Sequence, residues 1–212
     1  MNRAAALLLL LGLATGLAAQ PKKEADLEQT VAALKRIGGT PSGFEVMPNA
    51  EIQIKVVDKA TPAASKTPVF RLAGSDDATL ARIPKSEASV GLDLHGYRIS
   101  DSGLKHVANL RNLQVLVLSR TTITDDGWQN LAGCKNLYVL DLSHTKLSSD
   151  ALRQLDQFKE LRALDLTRCG GATDKGVRDL GLLKELRPLN LAETRISDTG
   201  VKELAALKNS SP

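Results

Sequence analysis

Aromatic residues are nearly missing from this chain, at 3% of 212 residues. Its hydrophobic content is nonetheless 42%, so the chain has material for a core, and that core must be leucine, valine and alanine. The scarcity also counts against two functions. Binders of single-stranded nucleic acid need aromatic stacking platforms, and antibody-like paratopes favour tyrosine and tryptophan. Charge of one sign is not concentrated either. The formal net charge is +4 and the pI about 9.1, yet no Lys/Arg block occurs in the sequence. No nucleic-acid partner is expected. After the first twenty residues no apolar run is long enough to cross a membrane.

Those first twenty, MNRAAALLLLLGLATGLAAQ, read as a secretory signal. Arg3 supplies a positive start, Ala4 to Leu13 an apolar stretch short for a span, and Gly16-Leu17-Ala18 a small-residue cleavage site. Cutting after Ala19 fits nearly as well. A secreted or periplasmic bacterial protein is expected, with residues 1–19 removed and no membrane span left in the mature chain. The alternative is an uncleaved N-terminal anchor.

What the sequence does have is repetition. Aligned on their L-x-L triplets, five segments match: LDLHGYRISDSGL from Leu92, LVLSRTTITDDGW from Leu116, LDLSHTKLSSDAL from Leu140, LDLTRCGGATDKGV from Leu164 and LNLAETRISDTGV from Leu189. The starts differ by 24, 24, 24 and 25 residues, with the extra residue near Gly170-Gly171. Within each copy the period changes from two, as at Leu140 and Leu142, to three, as at Leu152, Leu155 and Phe158. Strand therefore gives way to a short helix. Asp101, Asp125, Ser149, Asp174 and Asp198 stand just before the helical halves and read as N-caps. One such unit cannot bury its leucines alone, whereas stacked units form a continuous core.

The pattern resembles the leucine-rich repeat family, in particular its ribonuclease-inhibitor-like and cysteine-containing bacterial type, with L-x-x-L-x-L-x-x-(T/C)-x-I-T-D-x-G-L. LQVLVLSRTTITDDGW from Leu113 matches closely, and Thr121, Thr145, Cys169 and Thr194 fill the T/C column, from which Tyr97 departs. The resemblance covers roughly two thirds of the chain. It implies an α/β leucine-rich repeat solenoid, right-handed, a horseshoe arc with a parallel concave sheet and short convex helices. It also implies action by binding other macromolecules.

The N-terminal third lies outside this register. Lys22 to Ile37 carries Leu27, Val31, Leu34 and Ile37 at helical spacing and ends at Gly38-Gly39. Glu51 to Asp58 alternates like a strand, and Thr61 to Pro68 reads as a linker. Residues 20–68 are expected to form an α+β cap over the first open end, or alternatively a small independent module. Repeats then occupy 69–208, including one degenerate copy in which Asp77, Leu80 and Ile83 match Asp125, Trp128 and Leu131, and 209–212 are a tail. Pro188 before the last strand suits an open edge, and the final helix, Thr199 to Lys208, closes the stack.

Asp141, Ser143 and His144 have the residue types of a hydrolytic triad. The register argues against one. Their columns are filled variably: Asp93, Val117, Asp165 and Asn190 in the first, His95, Ser119, Thr167 and Ala192 in the second, Gly96, Arg120, Arg168 and Glu193 in the third. No G-x-S-x-G elbow accompanies them. No enzymatic role is expected, and no cofactor. No metal site is expected either, because His95 and His144 belong to copies two apart, on the order of 10 Å at sheet spacing. Cys134 and Cys169 occupy different columns in different copies and read as two reduced, buried thiols.

The remaining candidate is the concave face. Strand parity places an acidic column there, Asp93, Asp141 and Asp165, ending in Asn190. A basic column of Arg120, His144 and Arg168 runs beside it, flanked by Arg98, Lys146 and Arg195. Either the arginines offset repulsion between carboxylates roughly 5 Å apart, or the strip recognises a polar protein partner. The expected function is an exported, non-catalytic protein-binding module using this face. The alternatives are an inhibitor or adaptor of an extracytoplasmic enzyme, and a structural envelope scaffold.

Overall fold

The structure, a computed structural model, describes residues 19–46, 52–55, 67–72, 74–96 and 98–209. The signal-like stretch, most of the 61–68 linker, Tyr97 and the tail from Ser210 lie outside the described residues. One eight-stranded sheet runs through the molecule in the order β2-β1-β3-β4-β5-β6-β7-β8. Strands β3 (Val69–Leu72), β4 (Val90–Asp93), β5 (Leu113–Val117), β6 (Val139–Asp141), β7 (Ala163–Asp165) and β8 (Leu189–Asn190) are parallel neighbours. Phe70, Leu92, Leu116, Leu140, Leu164 and Leu189 stand opposite one another in register. The L-x-L alignment is thus the strand register itself. These leucines point to one side of the sheet, where the helices cover them, and the core runs unbroken from Leu34 to Leu204.

Each strand is followed by a short helix on that side: α2 (Asp77–Leu80), α3 (Asp101–Val107), α4 (Asp125–Trp128), α5 (Ser149–Arg153), α6 (Asp174–Val177) and α7 (Asp198–Asn209). Helices α4, α5 and α6 tighten at once into 3-10 turns. The degenerate copy has the same strand–turn–helix order, with Leu80 and Ile83 buried in the core.

The helix caps correct the sequence reading by one residue. The caps are Ser100, Thr124, Ser148 and Thr173, each hydroxyl accepting from a backbone N–H of the first turn. The aspartates are the first helical residues, and their carboxylates reach sideways. Asp77 accepts from both the N–H and the hydroxyl of Ser100, and Asp101 does the same for Thr124 at 2.8 and 2.7 Å. Asp125 holds Ser148 and Asp174 holds Ser197 in the same way. Each cap hydroxyl therefore donates to the preceding repeat while accepting within its own helix, a chain of charge-assisted bonds that staples repeat to repeat.

The glycine two residues after Asp101, Asp125 and Asp198 makes room for the carboxylate of the preceding repeat. A Cβ on Gly103, Gly127 or Gly200 would overlap the carboxylate of Asp77, Asp101 or Asp174. Only one link differs. The extra residue at Gly170-Gly171 turns the Gly171 carbonyl toward Ser149, whose hydroxyl donates to it at 3.2 Å and meets Thr173 Oγ1 at 2.8 Å. An ionised aspartate cannot donate, so serine is the residue this link requires.

In the N-terminal third, α1 (Ala19–Arg36) lays Leu27, Val31 and Leu34 against the core, and Ile37 follows in the turn. The chain leaves the helix through Gly38 at φ 95, a conformation open to glycine. β1 (Gly39–Val46) then pairs antiparallel with β3 through its first half and with β2 (Ile52–Lys55) through its second. The sequence reading anticipated β2 but not β1, whose GTPSGFEV has two glycines and a proline and no alternation. Pro41 sits in the half that pairs only with β3, which spares it the middle of a ladder.

Candidate functional site

Strand residues that do not face the core face the concave side. In the half of the strand where the chain arrives they are Val69, Val115, Val139 and Ala163, which together with Val117 make a second apolar cluster with Tyr138 beside it. In the half where it leaves they are the polar column, and its carboxylates are not displayed to solvent. Asp93 is 0% exposed, Asp141 and Asp165 5% each. Every one is held by its own turn: Asp93 accepts from the N–H of His95, Asp141 from that of Ser143 and Asp165 from that of Thr167, at 3.0, 2.8 and 2.8 Å. Asn190 Oδ1 does the same for Ala192 at 3.0 Å. Two carboxylates have further partners across the sheet, Arg71 on Asp93 at 2.6 Å and the Asn190 amide on Asp165 at 3.3 Å. The acidic column is therefore the floor of the site and sets the turn above it.

Asp141 has the harder position. It faces Asp165 in register and has hydroxyls, not a cation, for neighbours. Burial pushes its carboxyl up to about 6, with the Asp165 charge adding to the rise and hydrogen bonds from Ser143 and Ser119 opposing it.

The basic column stands at the turn after the strands. Arg120, His144, Arg168 and Glu193 all adopt positive φ, between 53° and 59°, one residue per repeat. Gly96, at φ 68, holds the same position in the first clear copy. This left-handed conformation costs a side-chain-bearing residue on the order of 1 kcal/mol or more. Its backbone logic is plain: the N–H groups of Gly96, Arg120, His144 and Arg168 each bond a carbonyl of the following repeat, at 2.8 to 3.1 Å. The side chains are thrown outward in a row. Arg120 Nη2 meets His144 Nε2 at 3.4 Å, and Arg168 Nε donates to Glu193 at 2.6 Å. Burial and the flanking Arg120 and Arg168 charges hold His144 below the ordinary imidazole range.

Between row and floor lies a shallow depression of about 510 Å³. It is lined by Arg120, His144, Asp141, Asp165 and Asn190, with the hydroxyls of Ser119, Ser143 and Thr167. Arg168 and Glu193 continue the row beyond its lining. The flanking Arg98, Lys146 and Arg195 are exposed but sit further along the turn, outside the depression. Sequence reasoning left several contributors off its candidate set, the Ser143 and Thr167 hydroxyls among them. Glu193 shares the column of His144, and Gly96 in that column is the mark of a positive-φ position. His95 and Ser119 share the next column, and adjacency in the sheet lets His95 Nδ1 meet Ser119 Oγ at 2.7 Å.

Asp141, Ser143 and His144 do not form a relay. Asp141 accepts from the backbone of Ser143, and the His144 ring lies against Arg120. Among the described residues no group of three metal-ligating side chains occurs. Cys134 and Cys169 are free and buried, and burial pushes the Cys134 thiol up to about 11.

Comparison with known proteins agrees with the repeat register. A leucine-rich repeat family profile matches residues 92–170, and a second matches 186–205. No curated protein matches the chain. Among 109 solved chains with significant similarity is an internalin (inlF) from Listeria monocytogenes, 21% identical with a TM-score of 0.47, covering 63% of this chain and 35% of that one. Another is internalin C2 (inlC2) from the same species, 20% identical with a TM-score of 0.40, covering 66% and 77%. The chain thus spans about a third of the first internalin's length.

Proposed function

We propose, from the premise that this chain is a leucine-rich repeat protein, that it is an exported, non-catalytic module that binds a protein partner through its concave face. The observation that carries this reading is the row at positive φ. Glycine occupies that position at Gly96 and would be the least strained choice in every copy. Arg120, His144, Arg168 and Glu193 stand there instead, at a cost in stability that a purely structural role does not repay. Only Arg168 and Glu193 form an ion pair in the row, and at over half exposure such a pair contributes little. Exposed charge of this kind sets orientation and encounter rate in a complex more than its affinity.

The floor favours binding over chemistry. Its carboxylates are engaged by backbone N–H groups, so they shape the turns. Export is inferred from MNRAAALLLLLGLATGLAAQ, and the N-terminal helix and hairpin are inferred to cap the first open end.

The test is a crosslinking pull-down from the exported fraction of the native host, comparing wild type with Arg120→Glu plus Arg168→Glu after both are shown to fold. A protein captured by wild type and lost by the variant is the expected result. Capture of the same set by both would sink the concave reading.

A further inference from the structure

The polar column of the concave face begins with its own counter-charge. Arg71, Asp93, Val117, Asp141, Asp165 and Asn190 stand in register across the six parallel strands. Arg71 closes on Asp93 at 2.6 Å, and that carboxylate is fully buried. The next two acids have no such cation. Among the described residues, neither Asp141 nor Asp165 forms an ion pair. Yet each is only 5% exposed, and they are neighbours in register, roughly 5 Å apart at strand spacing. Val117 separates them from the Arg71–Asp93 pair. Asp141 shows the effect, its carboxyl held above the ordinary range by burial and by the Asp165 charge.

The depression of about 510 Å³ is lined by both acids and by the hydroxyls of Ser119, Ser143 and Thr167. Its rim carries the complementary deficit. Arg168 is paired with Glu193. Arg120 has no carboxylate among the described residues, and its guanidinium meets His144 Nε2 at 3.4 Å. The depression therefore lacks a cation on its floor and a carboxylate on its rim.

We propose, building on the concave-face reading above, that this depression receives a lysine side chain of the protein partner, with an acidic residue next to that lysine lying on Arg120. The ammonium would neutralise Asp141 and Asp165 as Arg71 neutralises Asp93, and the acid offsets the repulsion between Arg120 and the lysine. The state of the carboxylates selects lysine over arginine. Oδ1 of each is bonded to a backbone N–H of its own turn, and Oδ2 of Asp165 also takes the Asn190 amide. A guanidinium is best held by both oxygens of one carboxylate in its plane, whereas an ammonium takes single oxygens from several sides. Its three donors are matched by one oxygen of Asp141, one of Asp165 and a lining hydroxyl.

The experiment titrates the full chain with a capped Gly-Lys-Glu-Gly peptide, and with the same peptide carrying norleucine or arginine in place of lysine. The backbone amide resonances of Ser143 and Thr167 report binding. Expected is saturable binding of the lysine peptide, about tenfold tighter than either substitute. Asp141→Asn, which keeps the turn as Asn190 does, should weaken the lysine peptide about tenfold and leave the norleucine peptide unchanged. Equal affinity of the lysine and norleucine peptides, tighter binding of the arginine peptide, or no effect of Asp141→Asn overturns the proposal. So does a lysine peptide that shows no saturation at about 10 mM. Calcium chloride shifting the same resonances at lower concentration than the peptide would assign the pair to a metal ion and overturn it too. The concave reading is tested separately by Arg120→Glu plus Arg168→Glu. A concave partner found there, with no effect of Asp141→Asn here, sinks this inference alone.

Discussion

Gly127→Val is expected to lower stability by about 3–4 kcal/mol, or roughly 10 °C in melting temperature for a chain of this size. A Cβ on Gly127 would lie 2.7 Å from the Asp101 carboxyl carbon and 2.9 Å from its Cα, so the Asp101 carboxylate has to leave Thr124. Two charge-assisted bonds between repeats go with it. The third clear copy marks what is tolerated. Ala151 stands in the glycine column there, and Asp125 still holds Ser148. Gly127→Ala brings the same Cβ against Asp101 without the added bulk, and is expected to cost about 2 kcal/mol, less than valine. Thermal unfolding of the valine variant in the wild-type and Asp101→Ala backgrounds separates staple from bulk. With the carboxylate already gone, valine should cost less by about 1 kcal/mol or more. An equal cost in both backgrounds would show that the staple is not what the glycine protects.

Asp141→Asn is expected to do the reverse and stabilise the protein by about 1–3 kcal/mol at neutral pH. Asp141 is raised from 3.8 to about 6 in the folded chain, chiefly by burial. The folded state therefore holds this proton more tightly than the unfolded state. Its contribution is favourable below pH 4 and is lost as pH rises from about 4 through 6, when a charge must be kept on the floor. Asparagine already does the work in the last repeat, where Asn190 Oδ1 accepts from Ala192 and Nδ2 donates to Asp165. Denaturant unfolding of both proteins from pH 4 to 8 should show a small difference at pH 4 that grows to a plateau above pH 7. A constant difference, or a less stable variant at pH 8, would mean that Asp141 is not the strained group.

Much of this architecture is legible in the sequence because it is written in the period. The L-x-L columns fix the sheet register, and the change from period two to period three fixes the helix side. Leu27, Val31 and Leu34 announce α1. What was not legible depends on neighbours about 24 residues away. Asp101 looks like a cap because it stands beside one, and only the stacked repeat shows that its carboxylate serves Thr124. Asp93, Asp141 and Asp165 read as an exposed strip from strand parity alone, and become a floor once each has bent back to its own turn. β1 had no pattern to read, since its pairing comes from the edge of β3 rather than from its own alternation.

On this reading the left-handed row keeps its charged side chains for a partner. It is tested most directly by Arg120→Gly with His144→Gly, which removes the side chains and relieves the backbone while sparing the Arg168–Glu193 pair. The expected result is a melting temperature higher by about 2–4 °C together with loss of the captured partner. The relief is the folded-state strain at two positions less the freedom glycine adds to the unfolded chain. Full capture by the glycine variant would contradict the claim.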